Sequence, residues 1–199
     1  MRLGLLRAVA ILLLVIAFSE AASLAHQADL KPVERRETQL AIGDFNLLDQ
    51  NSRQFKFSQL AGRVVVVAFA YTTCPDVCPL ITAAQRQVQS GLSADEGKKV
   101  FFLTITTDPE IDAPAVLAGY AKRHGADLTN WAFLTGEPVV LRKVWKNFGV
   151  GVKRKGRGLV DHTPLTALVD RQGKMRLVYV GPAPEVEVVL RDVRRLVSQ

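Results

Sequence analysis

With 199 residues, 48% of them hydrophobic, the chain is long enough for one well-packed domain and a short appendage, and too short for two full domains. Its net charge of +7 comes from Lys and Arg scattered along the sequence. With 7% aromatic residues and no recognisable binding module, a nucleic-acid partner is not expected. A mildly basic surface suits anionic lipid or an acidic protein partner better.

The chain opens with Arg2 and Arg7, an apolar run from Ala8 to Phe18 and small residues ending in Ser23-Leu24-Ala25. This is the layout of an export signal, with a cleavage site after Ala25. The run falls short of the roughly 20 residues of a standard membrane-spanning helix. If residues 1–25 stayed uncut they would act as an anchor, with 26–41 as a polar linker to a domain over 42–199. The expected location is therefore extracytoplasmic and periplasmic, either soluble after cleavage or held at the inner membrane. Cysteine occurs only at positions 74 and 78. No Cys lies near the signal, so lipid anchoring is not expected. A single local pair in an exported chain points to redox chemistry or metal binding rather than a disulfide framework.

Past the linker, Gly43 to Phe57 reads as two short strands around a polar turn at Asp49 to Arg53, followed by a brief helical turn at Ser58 to Gly62. Arg63 to Ala70 (RVVVVAFA) has the pattern of a central strand buried on both faces, and it runs directly into the cysteines. A helix is expected from Pro79 to about Leu92, with Pro at its first position and Gly91 near its end. Val100 to Thr106 is a second central strand. A helix at Ala113 to His124, a short strand at Trp131 to Leu134 and a helix at Glu137 to Phe148 come next. After a glycine-rich basic loop at Gly149 to Gly158, a strand pair at Leu165 to Val169 and Met175 to Val180 leads to an amphipathic helix at Pro184 to Val197. The order implies an α/β fold, a mixed central sheet with helices on both faces. With a cysteine pair at the first strand-to-helix junction, this is a thioredoxin-like arrangement.

Cys74-Pro75-Asp76-Val77-Cys78-Pro79 sits where a buried strand gives way to a helix, a favoured place for binding sites in open α/β sheets. Because Pro79 disfavours helical geometry at the residue before it, Cys78 is expected at the helix entrance and Cys74 in the preceding loop. Free backbone N–H groups and the positive helix end favour thiolates there. Dithiol exchangers usually carry two intervening residues, and this pair has three. A static disulfide staple would constrain few residues across so short a loop. Two thiolates suit copper(I), zinc or a thiol-exchange partner, so a third ligand matters. His162, just before a predicted strand, is the best candidate, ahead of His124 and His26. Asp76 and Asp161 could tune the ligands, although Asp76 is also an ordinary turn residue. Asp108 could face the same cleft or cap the following turn. The basic loop reads as solvated surface.

Cys74-Pro75-Asp76-Val77-Cys78-Pro79 together with Val160-Asp161-His162-Thr163 resembles the SCO/SenC family of copper chaperones for cytochrome c oxidase. The similarity runs from about Ile42 to the last helix and takes in Thr107 to Pro114 and Phe133-Leu134-Thr135-Gly136. It implies a thioredoxin-like fold in which Cys74 and Cys78 bind copper(I) and His162 joins them, particularly for copper(II). It also implies delivery to the dinuclear copper site of an oxidase subunit or a similar acceptor, with a copper donor and a thiol reductant protein as further partners. Three positions depart from the family: the basic Lys153, Arg154, Lys155 and Arg157, where some relatives are acidic; Thr73, where a His is common; and Pro164, whose place is similar to that of the cis-proline of thioredoxins. The last leaves open a thiol-disulfide oxidoreductase with Cys74 or Cys78 as nucleophile. A peroxide-reducing enzyme is the weakest alternative, since no peroxide-activating Arg is identifiable. A metallochaperone is expected rather than an enzyme.

Overall fold

The structure, a computed structural model, describes residues 32–155, 158–182 and 184–199. Residues 1–25, read from the sequence as an export signal, His26 and Arg157 lie outside the described residues. Strand β4 (Val64–Ala70) is the centre of the sheet, and every one of its residues is buried. Its side chains alternate: Val65, Val67 and Phe69 enter one apolar layer and Val64 and Val66 the other. Each fully buried Val contributes about 1.5–3 kcal/mol relative to exposure, which is why this run can only be a central strand.

Beside β4 lie the parallel β5 (Val100–Thr106) and then β6 (Trp131–Thr135). On the other side the antiparallel β9 (Leu165–Val169), β10 (Lys174–Val180) and β1 (Glu34–Ala41) follow. β2 (Asn46–Asp49) and β3 (Gln54–Lys56) complete the eight-stranded sheet, in the order β1-β10-β9-β4-β5-β6-β2-β3. Helices α1 (Val77–Ser90), α3 (Pro114–Arg123) and α5 (Val186–Val197) supply apolar side chains to one layer; α4 (Pro138–Asn147) and a 3-10 turn at Phe57–Leu60 supply the other. This is the expected mixed sheet covered on both faces.

The structure departs from the sequence reading at three points. Glu34–Ala41, read as the end of a polar linker, is strand β1: its backbone pairs with β10, and Arg35 clasps the buried Asp192 at 2.7 and 3.1 Å. Its entry depends on Gly181, whose φ of +143° and lack of a side chain let Val33 pass; a Cβ there would meet Val33 at 2.8 Å. Ala94–Lys99 is a helix, α2, with a Ser93/Glu96 capping box. Helix α1 begins two residues before Pro79, so Cys78 lies inside its first turn. Proline is compatible with that turn because the N–H it lacks would have no helical partner.

Candidate metal and thiol site

The site forms where β4 ends. Ala70 and Tyr71 are still buried, and the loop turns at once, with the Cys74 N–H donating to the Tyr71 carbonyl at 3.3 Å. Its first residue is fixed from behind: Asp112, fully buried, accepts the Thr72 N–H at 3.2 Å and the hydroxyls of Thr72 and Thr106, each at 2.5 Å. Burial pushes the Asp112 carboxyl above its ordinary range, with these hydrogen bonds opposing.

The two thiols are unequal. Cys78 is wholly buried and Cys74 is partly exposed. The neighbouring Cys78 thiol and the backbone N–H groups at the start of α1 hold Cys74 down at about 5 despite partial burial. The Cys74 sulfur beside it and burial push the Cys78 thiol up. Burial raises the Tyr71 hydroxyl to about 12, so it stays protonated beside the sulfurs.

His162 arrives from a different part of the chain. β7 (Val152–Arg154) and β8 (Val160–His162) form a separate two-stranded ribbon where a loop was expected, with His162 opposite Val152. Partial burial of the ring lowers its pKa below the ordinary imidazole value. Nδ1 lies 3.2 Å from the Thr163 carbonyl, which can only accept, so Nδ1 carries the proton and Nε2 presents its lone pair. That lone pair faces Cys78 Sγ at 3.5 Å, while the Tyr71 ring packs edge-on against the imidazole, centroids 5.9 Å apart. A thiolate and an imidazole bound tetrahedrally to one ion, at about 2.3 and 2.0 Å, stand roughly 3.5 Å apart. A ring N–H held by a backbone carbonyl is also the usual support of a metal-binding His. Among the described residues no three His, Cys, Asp or Glu side chains stand fully gathered as a cage. The donors meet in pairs, Cys78 with His162 and Cys74 with Cys78.

The remaining sequence candidates fall elsewhere. Asp76 precedes α1 without a side-chain cap, and Asp161 pairs with Lys155 at 2.5 Å. Asp108 neither faces the cleft freely nor caps the turn: it is buried and accepts Arg154 at 2.9 and 3.2 Å. Lys153, Arg154 and Lys155 are exposed, as expected of a solvated surface, and Arg154 and Lys155 are in addition paired with acidic groups. His124, just after α3, stacks on Tyr120 with centroids 4.2 Å apart. No peptide bond among the described residues is cis, so Pro164 is not a thioredoxin-type cis-proline. An apolar cleft lined by Phe57, Leu60, Val65 and Val169 contains no Cys or His. The reading of the sequence missed the roles of Asp112 and Arg154; the Thr-rich end of β5 followed by two Asp four residues apart was the available signal.

The SCO1/SenC family model matches residues 33–198, taking in β1. A putative copper-binding protein of Stutzerimonas stutzeri is 31% identical over 140 residues, covering 68% of this chain and 67% of that one. Among solved structures, a SCO1/SenC family lipoprotein from Bacillus anthracis superposes with a TM-score of 0.74 at 30% identity, over 81% of this chain and 97% of its own. ScoI of Bradyrhizobium japonicum, solved with copper bound, does so with a TM-score of 0.62 at 30% identity, over 79% of this chain and 99% of its own. A fold that superposes on family structures and a family-model match over residues 33–198 make this chain a member of the SCO1/SenC family.

Proposed function

We propose that this protein is an extracytoplasmic copper carrier that holds one copper ion through Cys74, Cys78 and His162 and passes it to the copper-bearing subunit of cytochrome c oxidase or a similar acceptor. The observation that carries the proposal is the part-buried contact of Cys78 Sγ with the unprotonated Nε2 of His162 at 3.5 Å. Thiolates suit copper(I) and the imidazole adds a donor suited to copper(II), so the set serves both oxidation states. Copper-binding relatives and a copper-loaded structural neighbour support the reading, and the family resemblance supplies the oxidase as destination. Cys74 is the sulfur an acceptor can reach, and Cys78 and His162 are the pair that retains the ion until exchange begins. Residues 1–25 act as export signal or anchor, with the linker reaching to the start of β1.

Anaerobic copper titration of the reduced full chain tests this. One equivalent is expected per chain, with a thiolate-to-copper(II) absorption band that shifts or disappears in His162→Ala. Cys74→Ser and Cys78→Ser binding copper as tightly as the parent would overturn the proposal.

A thiol-disulfide oxidoreductase is the second reading, favoured by the asymmetry of an accessible low-pKa Cys74 beside a buried Cys78, the arrangement of attacking and resolving thiols. It requires metal-free turnover with little dependence on His162. Insulin reduction at the background rate would rule against it.

A further inference from the structure

The two halves of the site lie on elements that share no strand pairing. The cysteines leave β4 of the main sheet, whereas His162 rides on the β7–β8 ribbon, a sheet of its own with three residue pairs. A lone two-stranded ribbon is marginally stable at best, so the place of His162 depends on what ties the ribbon to the core. Val152 and Val160 contribute apolar packing near Tyr71 and Cys78. The Thr73 hydroxyl donates to the Gly158 carbonyl at 3.3 Å. The strongest tie is charged. Arg154 donates to both oxygens of Asp108, at 2.9 and 3.2 Å, and pairs with Glu110 as well. Asp108 is 2% exposed, and Arg154 Nη2 reaches both of its oxygens while Nη1 pairs with Glu110, so one planar guanidinium spans two carboxylates, one of them buried.

Asp108 and Glu110 belong to the same short turn as Asp112, and Asp112 is the group that fixes Thr72 at the start of the cysteine loop. One turn therefore grips the cysteine loop at one end and the ribbon at the other. Its grip on the ribbon runs through a single side chain, Arg154.

We propose that Arg154 is a positioning residue that holds His162 over the cysteine pair by clasping Asp108 and Glu110. The proposal rests on the copper-site reading for its consequence and on the ribbon's own anchoring for its mechanism. Loss of the clasp frees the ribbon to lift, taking the imidazole from Cys78 while leaving both thiols in place.

The test compares the full chain with Arg154→Met, which keeps the aliphatic stem, and Arg154→Lys, which restores a charge without the planar guanidinium that spans Asp108 and Glu110. In the reduced, metal-free protein, Arg154→Met is expected to speed amide exchange in β7 and β8 and to leave β4 and β5 protected as before. After copper(II) loading, the nitrogen hyperfine signal of the imidazole should fade and affinity should drop by about tenfold or more, the usual scale for groups that orient a ligand. Copper(I) binding through the thiolates should stay close to the parent, and Arg154→Lys should recover part of both signals. Unchanged ribbon exchange and an unchanged copper(II) signature in Arg154→Met would overturn the proposal, as would faster exchange throughout the sheet. If the parent shows no imidazole signal, the copper reading fails, and the exchange measurement alone decides whether Arg154 is the clasp.

Discussion

Asp112 behind the cysteine loop and Asp192 on α5 are both almost wholly buried, yet their surroundings drive them in opposite directions. Asp192 accepts from Arg35 at 2.7 and 3.1 Å and from the Tyr179 hydroxyl at 2.6 Å. Burial alone would raise its carboxyl, but these partners outweigh it and hold the group below its ordinary 3.8. Asp112 has hydroxyls and one amide and no cation, and burial wins. A carboxylate with a guanidinium partner is a fixed charge that can lock a strand to a helix. One held by hydroxyls keeps a loop in place without setting a second full charge pair beside two sulfurs.

The largest expected effect is at the clasped edge. Asp192→Ala strands Arg35 and the Tyr179 hydroxyl and should cost about 3 kcal/mol, at the low end for breaking a buried pair because Arg35 is partly solvated. Asp112→Ala leaves the Thr72 N–H and two hydroxyls without their acceptor and should cost about 2 kcal/mol. Urea unfolding measures both.

Titration sharpens the contrast. With its folded pKa depressed, Asp192 stabilises the fold above pH 3.8, and that contribution is lost as pH falls through the folded value. Asp112, with its folded pKa raised, contributes stability below 3.8 that is lost as pH rises through the folded value. Asp192→Asn should therefore be more harmful at pH 7 than at pH 3, and Asp112→Asn the reverse. Urea midpoints at the two pH values that moved in parallel would refute the assignment.

At the cysteines, alkylation followed by mass spectrometry should find Cys74 modified first in the folded chain. Its rate should level off above about pH 5 and fall below it as the thiolate is protonated. Cys78 should react only on unfolding. The smallest effect belongs to surface pairs such as Lys98 with Asp95, whose neutralisation should leave the unfolding midpoint unmoved.

The central strands, most helices and the cysteine junction were legible because their signals are local: β-branched runs, apolar periodicity, prolines and glycines at helix ends. β1 was not, since ERRETQLA has almost no apolar alternation and gains its structure from the β10 ladder and from Arg35 reaching Asp192, 157 residues away. The Ser93/Glu96 signature of α2 was present in the sequence, but the helix has six residues, none buried, and therefore no apolar stripe. The sequence placed Cys74, Cys78 and His162 in one set on resemblance. What seats them escaped it, because Arg154 with Asp108 is a contact between charges 46 residues apart, and a charge reads as surface until its partner is known.

The exposed border of the sheet has a consequence for the protein at high concentration. Of the two border strands, β3 is three residues long, while β1 offers eight, enough to template a strand from another molecule. Glu34, Arg35, Arg36 and Glu37 stand in succession there, and the register slips between Glu37 and Leu40. An incoming strand would have to strip water from four charges and follow an irregular ladder, so the segment that fastens the linker to the domain also guards the chain against aggregation.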